Sequence, residues 1–192
     1  MVNRINDLII KAQKGDMFAF EQILKYYDRH VLNIAFSFRN SEEDSKDIYQ
    51  EVFIRVFKGL NNFQFKSEFS TWLYRITTNV CISYQSKEKR HKLDSIDKPA
   101  YTHEDGSENI SDTIGGELSA DSLAINSEIS NEIAGAVNLL PAQQKMAFVL
   151  KHYEGYKIKE VAEIMNCTEG TIKKYLFTAN EKLRQLLKHL ED

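Results

Sequence analysis

Residues 59–90 read GLNNFQFKSEFSTWLYRITTNVCISYQSKEKR, an irregular aromatic turn followed by a helical pattern with a basic end. Trp72, Leu73, Ile76, Val80 and Tyr84 recur at helical spacing and predict a helix with one buried face. Ser70 is the expected N-cap, since its hydroxyl can accept a backbone N–H of the first turn. The turn before it mixes Phe63, Phe65 and Phe69 with Asn61, Asn62, Gln64, Lys66 and Ser67. Rings stack on base faces and amides reach base edges, so this mixture suits unpaired nucleobases. Phe69, Trp72 and Ile76 read as core, whereas Phe63, Asn79 and the polar loop read as nucleic-acid contacts.

On the N-terminal side, residues 5–14 and 16–38 predict two helices separated at Gly15-Asp16, with Asp16 as a cap. Phe20, Ile23, Leu24, Tyr27, Val31, Ile34 and Phe38 form the core stripe of the second. Ser41 opens a third helix whose first turn carries Glu42, Glu43 and Asp44, where negative charge suits the helix dipole. Glu43, Asp44, Asp47 and Glu51 project into one quadrant beside an apolar arc of Ile48, Val52 and Val56.

Toward the C-terminus, residues 94–122 are rich in Ser, Asp, Glu and Gly and poor in large apolar residues, which predicts a flexible acidic linker. Helical patterning resumes at Leu123. Pro141 opens a helix continued by Ala142 to Tyr153. A short helix with Ile158, Val161, Ala162 and Met165 on one face then meets a turn at Asn166-Cys167 and a second helix capped by Thr168. In that second helix Ile172, Leu176, Ala179, Leu183 and Leu187 share one side, and Thr171, Lys174 and Thr178 the other. This is a helix-turn-helix pattern. The expected fold is all-α: two small helical domains, residues 1–93 and 123–192, joined by the linker.

The net charge of −3 conceals a strong asymmetry. Residues 1–93 carry 15 Lys/Arg against 11 Asp/Glu, residues 94–125 carry one against eight, and residues 126–192 carry nine of each. Neither end is basic enough to hold DNA tightly by phosphate neutralisation alone. A DNA-binding role therefore calls for a larger partner.

Phe63, Phe69, Trp72-Leu73, Ile76 and Asn79 resemble region 2 of the sigma-70 family of bacterial transcription initiation factors, especially its extracytoplasmic-function group. Leu140-Pro141, Lys145, Glu160-Val161-Ala162 and Gly170-Thr171-Ile172-Lys173 resemble region 4 of the same family, so both ends match in the family's order. The resemblance implies a promoter-specificity subunit that binds core RNA polymerase and promoter DNA, with an anti-sigma factor as a further partner. It implies polymerase docking through Asp44, Asp47, Gln50, Glu51 and Phe53. Contacts to the minus-10 element are implied for Asn61, Asn62, Phe63, Lys66, Ser67, Ser70, Asn79, Lys87, Lys89 and Arg90. Contacts to the minus-35 element are implied for Thr168, Glu169, Thr171, Lys173, Lys174 and Thr178.

The sequence departs from the family pattern at several of these places. Ser83 and Ser86 stand where Asp and Arg are usual, Phe65 stands where Gly is common, and Tyr175, Thr178 and Asn180 replace arginines.

Enzyme chemistry finds no support. His30, His91, His103, His152 and His189 are scattered, and there is no metal-binding H-E-x-x-H, no G-x-S-x-G and no glycine-rich phosphate loop. No cofactor is expected. Two cysteines, Cys81 and Cys167, are too few for a disulfide framework. No run approaches the roughly 20 apolar residues of a membrane span, and no secretory signal is read, so the expected location is the cytoplasm. Competing readings are a stand-alone helix-turn-helix regulator and a sigma-like protein that sequesters a partner.

Overall fold

The computed structural model describes residues 2–95 and 120–190. Among these, eight α-helices follow in order: α1 (Val2–Gln13), α2 (Met17–Arg39), α3 (Glu42–Gly59), α4 (Phe69–Ser95), α5 (Ala120–Asn138), α6 (Ala142–Phe148), α7 (Ile158–Ile164) and α8 (Glu169–Leu186). A 3-10 turn, Leu60–Asn62, follows α3, and a π-helical segment, Val149–Tyr153, extends α6. Most of the predicted acidic linker lies outside the described residues, but α4 runs through Asp94 to Ser95 and α5 begins at Ala120.

Local chemistry sets the ends of these helices. The Asp16 carboxylate accepts the Ala19 N–H at 3.0 Å to start α2, and Ser41 Oγ accepts the Asp44 N–H at 3.3 Å to start α3. Asn40, left-handed at φ 54°, ends α2 by donating its N–H to the Phe36 carbonyl at 2.7 Å. Ser70 is not the cap of α4. The helix begins at Phe69, and its first bond runs from the Trp72 N–H to the Glu68 carbonyl at 3.2 Å, which puts Ser70 inside the first turn.

Helices α1 to α4 pack into one bundle whose centre is Ile23, Val31, Ile34, Phe38, Ile48, Val52, Val56 and Leu73. Gly59 permits the Trp72 indole to approach closely, since a Cβ there would lie 3.3 Å from the ring. Helices α5 to α8 build the second unit, in which Val137, Leu140, Ala179 and Leu183 form a small core between α5 and α8.

The two units share helix α4. Leu73 and Val80 are buried with α2 and α3, while α6 and α7 pack against the same helix from the other side. Its buried set therefore includes Tyr74, Thr77, Thr78, Cys81 and Gln85, far more than a single apolar stripe. Thr77 and Thr78 satisfy their hydroxyls on the carbonyls of Leu73 (3.1 Å) and Arg75 (3.0 Å), which makes threonine tolerable there. Across the junction, Arg75 Nη2 donates to the Glu163 carbonyl at 2.9 Å and the Ser37 hydroxyl donates to Glu154 Oε1 at 3.1 Å. The Tyr74 and Tyr156 rings lie 5.9 Å apart.

Candidate nucleic-acid and polymerase interface

The loop between α3 and α4 stands on four aromatic rings. Phe63 is only 7% exposed, with ring centroids 5.4 Å from Phe69 and 5.2 Å from Trp72. Expected to meet bases, Phe63 is instead part of the core, because Phe69 and Trp72 close over it. Phe65 sits above, its centroid 4.9 Å from Phe63, and is 41% exposed. Its backbone is left-handed at φ 55°, a conformation that costs a bulky residue roughly 1–2 kcal/mol and that glycine adopts freely. The family's usual glycine at this position thus has a plain backbone reason.

Gln13 of α1 holds the loop from below. Its side-chain amide donates to the carbonyls of Leu60 and Phe63, both at 2.9 Å. Asn61, Asn62, Gln64, Lys66 and Ser67 of the same loop are exposed. Ser70 is partly buried. Along α4, Asn79, Lys87 and Arg90 are exposed, and the Lys89 side chain lies outside the described residues.

On α3 the expected docking residues separate into two groups. Asp47 and Gln50 are exposed. Phe53 is buried against Tyr49, with ring centroids 4.7 Å apart, and does not belong to the surface. Asp44 is engaged internally: its Oδ2 accepts from Arg39 Nε at 2.8 Å and Nη2 at 2.6 Å, and its Oδ1 accepts from the Tyr84 hydroxyl at 3.0 Å. Arg39 also pairs with Glu88 at 2.7 Å. Burial, followed by the Asp44 contact, pushes the Tyr84 phenol up to about 12. Glu51 pairs with Arg55 at 2.6 Å.

The surface stripe that remains is longer than the acidic pattern suggested. Glu43, Asp47, Gln50, Ile54 and Phe57 fall within about 80° of one another around α3. Ile54 and Phe57 are both exposed although large and apolar. The Phe57 ring packs edge-on to Phe20 at 5.2 Å. Continuing the i+3/i+4 walk past Gln50 would have found them.

In the second unit, α7, the turn at left-handed Asn166 (φ 52°) and α8 form the helix-turn-helix. Thr168 Oγ1 caps α8 by accepting the Thr171 N–H at 3.2 Å and lies 3.0 Å from Thr171 Oγ1. Thr168, Glu169, Lys173, Lys174 and Thr178 are exposed, and Thr171 is partly so. The Thr178 hydroxyl is turned back onto the Lys174 carbonyl at 2.5 Å. Phe177, 68% exposed, lies outside the apolar register of Ile172, Leu176, Ala179 and Leu183, and that misfit was its signal in the sequence. Among the described residues no cluster of three or more His, Cys, Asp or Glu could hold a metal, and no helix is long and apolar enough to cross a membrane.

Comparison with known proteins gives two family matches: Sigma-70 region 2 over residues 23–91, and Sigma-70 region 4 over residues 130–190. The chain belongs to the extracytoplasmic-function group of sigma-70 factors. The sigma factor is 30% identical to the ECF RNA polymerase sigma factor SigW of Bacillus subtilis over 97% of this chain and 98% of that one. It is 29% identical to the RNA polymerase sigma-H factor of Pseudomonas aeruginosa, over 95% and 93%. Its fold matches the sigma factor RpoE of Bartonella quintana, solved in complex with the anti-sigma factor NepR. That match has a TM-score of 0.63 and 25% identity, and covers 88% of this chain and 96% of that one.

Proposed function

We propose that this sigma factor binds core RNA polymerase and directs it to promoters, reading the minus-35 element with α8 and capturing an opened minus-10 base with the loop after α3. The carrying observation is that one chain matches both sigma regions in order and presents a helix-turn-helix together with an exposed amide-rich loop. Residues 1–93 are the polymerase-binding and melting module, residues 123–192 the minus-35 module, and 94–122 the tether between them. Docking on polymerase uses the α3 stripe of Asp47, Gln50, Ile54 and Phe57, polar toward the start of the helix and apolar toward its end. The protein works in the cytoplasm, where polymerase and promoters are.

Charge and energetics explain the division of labour. On the outer face of α8 only Lys173 and Lys174 are cationic in the first two turns, so phosphate attraction is weak. Separating strands costs about 1.4 kcal/mol per stacked step, while one captured base returns about 1–3 kcal/mol. Polymerase must supply the remainder. An anti-sigma factor would silence the protein by covering the apolar part of the α3 stripe, a partner class with which the Bartonella quintana relative was solved.

Run-off transcription with purified core enzyme on genomic fragments tests this reading. Specific initiation that depends on the added chain supports it. No initiation at any fragment, combined with a specific footprint by the free chain, overturns it in favour of a stand-alone regulator; silence in both assays points to a sequestering role.

A further inference from the structure

We propose that Phe65 is a base-stacking, specificity-determining residue of this sigma factor, presenting its ring to an unpaired nucleobase of the non-template strand. The inference rests on the promoter-opening role and deepens it by naming the group that holds the base.

Three observations converge on the ring. Its backbone is left-handed, so the chain keeps a strained phenylalanine where glycine would be free of strain. The residue stays 41% exposed, so burial offsets only part of that strain. The ring rests at 4.9 Å on Phe63, which is wedged against Phe69 and Trp72, so it stands on a rigid aromatic base. Gln13 donates to the carbonyls of Leu60 and Phe63 and so ties this loop to α1.

The surroundings identify the ligand. In the same loop exposed Asn61, Asn62 and Gln64 offer amide donors and acceptors, and the exposed Lys66 and Glu68 carry opposite charges. A part-exposed aromatic ring in a loop of exposed amides matches a nucleobase, whose face the ring can stack on and whose edge the amides can reach. A protein-binding hot spot would instead sit within a continuous apolar surface. Phe65 is therefore a holding group for the base face, and the amides distinguish its edge.

The test compares wild type with Phe65→Gly and Phe65→Tyr, each assembled with core polymerase. The probe is a single-stranded oligonucleotide carrying the non-template minus-10 sequence of a promoter found by run-off transcription. Phe65→Gly is expected to lower oligonucleotide affinity about tenfold, within the usual loss for one stacked base. The thermal midpoint of the free chain should hold or rise, because glycine relieves the backbone. Binding to core polymerase and to a minus-35 duplex should stay unchanged, and Phe65→Tyr should retain the affinity. Oligonucleotide affinity within twofold of wild type for Phe65→Gly overturns the proposal, as does an equal loss in core binding. Failure of the wild-type holoenzyme to initiate anywhere would instead sink the parent reading.

Discussion

The ammonium of Lys145 lies 4.6 Å from the centroid of the Phe38 ring, joining the helix-turn-helix unit to α2 of the other unit. Lys145 is 1% exposed, and Asn138 Oδ1 accepts from it at 2.6 Å. A lysine so enclosed is tolerable because the ring face and the amide oxygen replace its water. Lys145→Ala removes these contacts and leaves a void, and should cost about 2–5 kcal/mol in urea unfolding. Lys145→Met keeps most of the volume and should cost clearly less. A double-mutant cycle with Phe38→Leu should give a coupling of about 0.5–2 kcal/mol, and zero coupling would refute the cation–ring contact.

Asp44 offers a separation of docking from stability. Because its oxygens serve Arg39 and Tyr84, Asp44→Asn should destabilise the free chain by about 1.5–3 kcal/mol, the range of hydrogen bonds to charged partners. Asp47→Asn, on the exposed stripe, should leave the urea midpoint within about 0.5 kcal/mol and weaken core-polymerase binding instead. Equal stability losses for both variants would contradict this division.

Glu154 makes the junction pH-dependent. Burial raises its carboxyl above the ordinary 4.5, against the opposing pull of the Ser37 hydroxyl and His30. The folded form then binds the proton more tightly than the unfolded one. Its contribution to stability is full below about 4.5 and is lost as pH rises through the raised value. Glu154→Gln should therefore raise the thermal midpoint at pH 7, with the advantage shrinking as pH falls toward 4.5. An advantage that grew in acid would reverse the sign of the argument.

The two thiols should report the junction separately. Cys81 is fully buried on α4, and burial pushes its thiol up to about 12, partly opposed by Lys145 and Arg39. Cys167 is partly exposed in the helix-turn-helix turn, and its thiol is raised by a milder burial. In a thiol-labelling time course Cys167 should react first and Cys81 only as α6 and α7 leave α4. Addition of core polymerase should accelerate Cys81 if the units separate on binding. Comparable rates for both thiols in the free chain would refute the closed junction.

Elements with one buried face were readable from periodicity, which is why α2, α3 and the helix-turn-helix stand where their apolar stripes predicted. Helix α4 was readable as a helix with one buried face, but its second buried face was not, because that face is built from Tyr74, Thr77, Thr78 and Cys81, residues that do not signal a core by themselves. The candidate site divided along the same line. Asn61, Asn62, Lys66, Ser67, Asp47 and Gln50 are where surface chemistry requires, but aromatic letters could not reveal which rings close over which. Phe63 and Phe53 went inward, while Phe65, Ile54, Phe57 and Phe177 stayed out. Asp44 read as one more acid on a stripe until Arg39, five residues earlier and across a helix end, claimed it.

Gln13 spans the greatest conceptual distance in the molecule. It belongs to α1, yet its amide fixes two carbonyls of the loop proposed to capture an unpaired base. On that proposal, deleting or rebuilding α1 would act as a remote adjustment of how readily a separated strand is retained, with the loop's own side chains unchanged. Kinetic defects from changes at that helix would belong to the loop's rigidity rather than to lost contacts with nucleic acid.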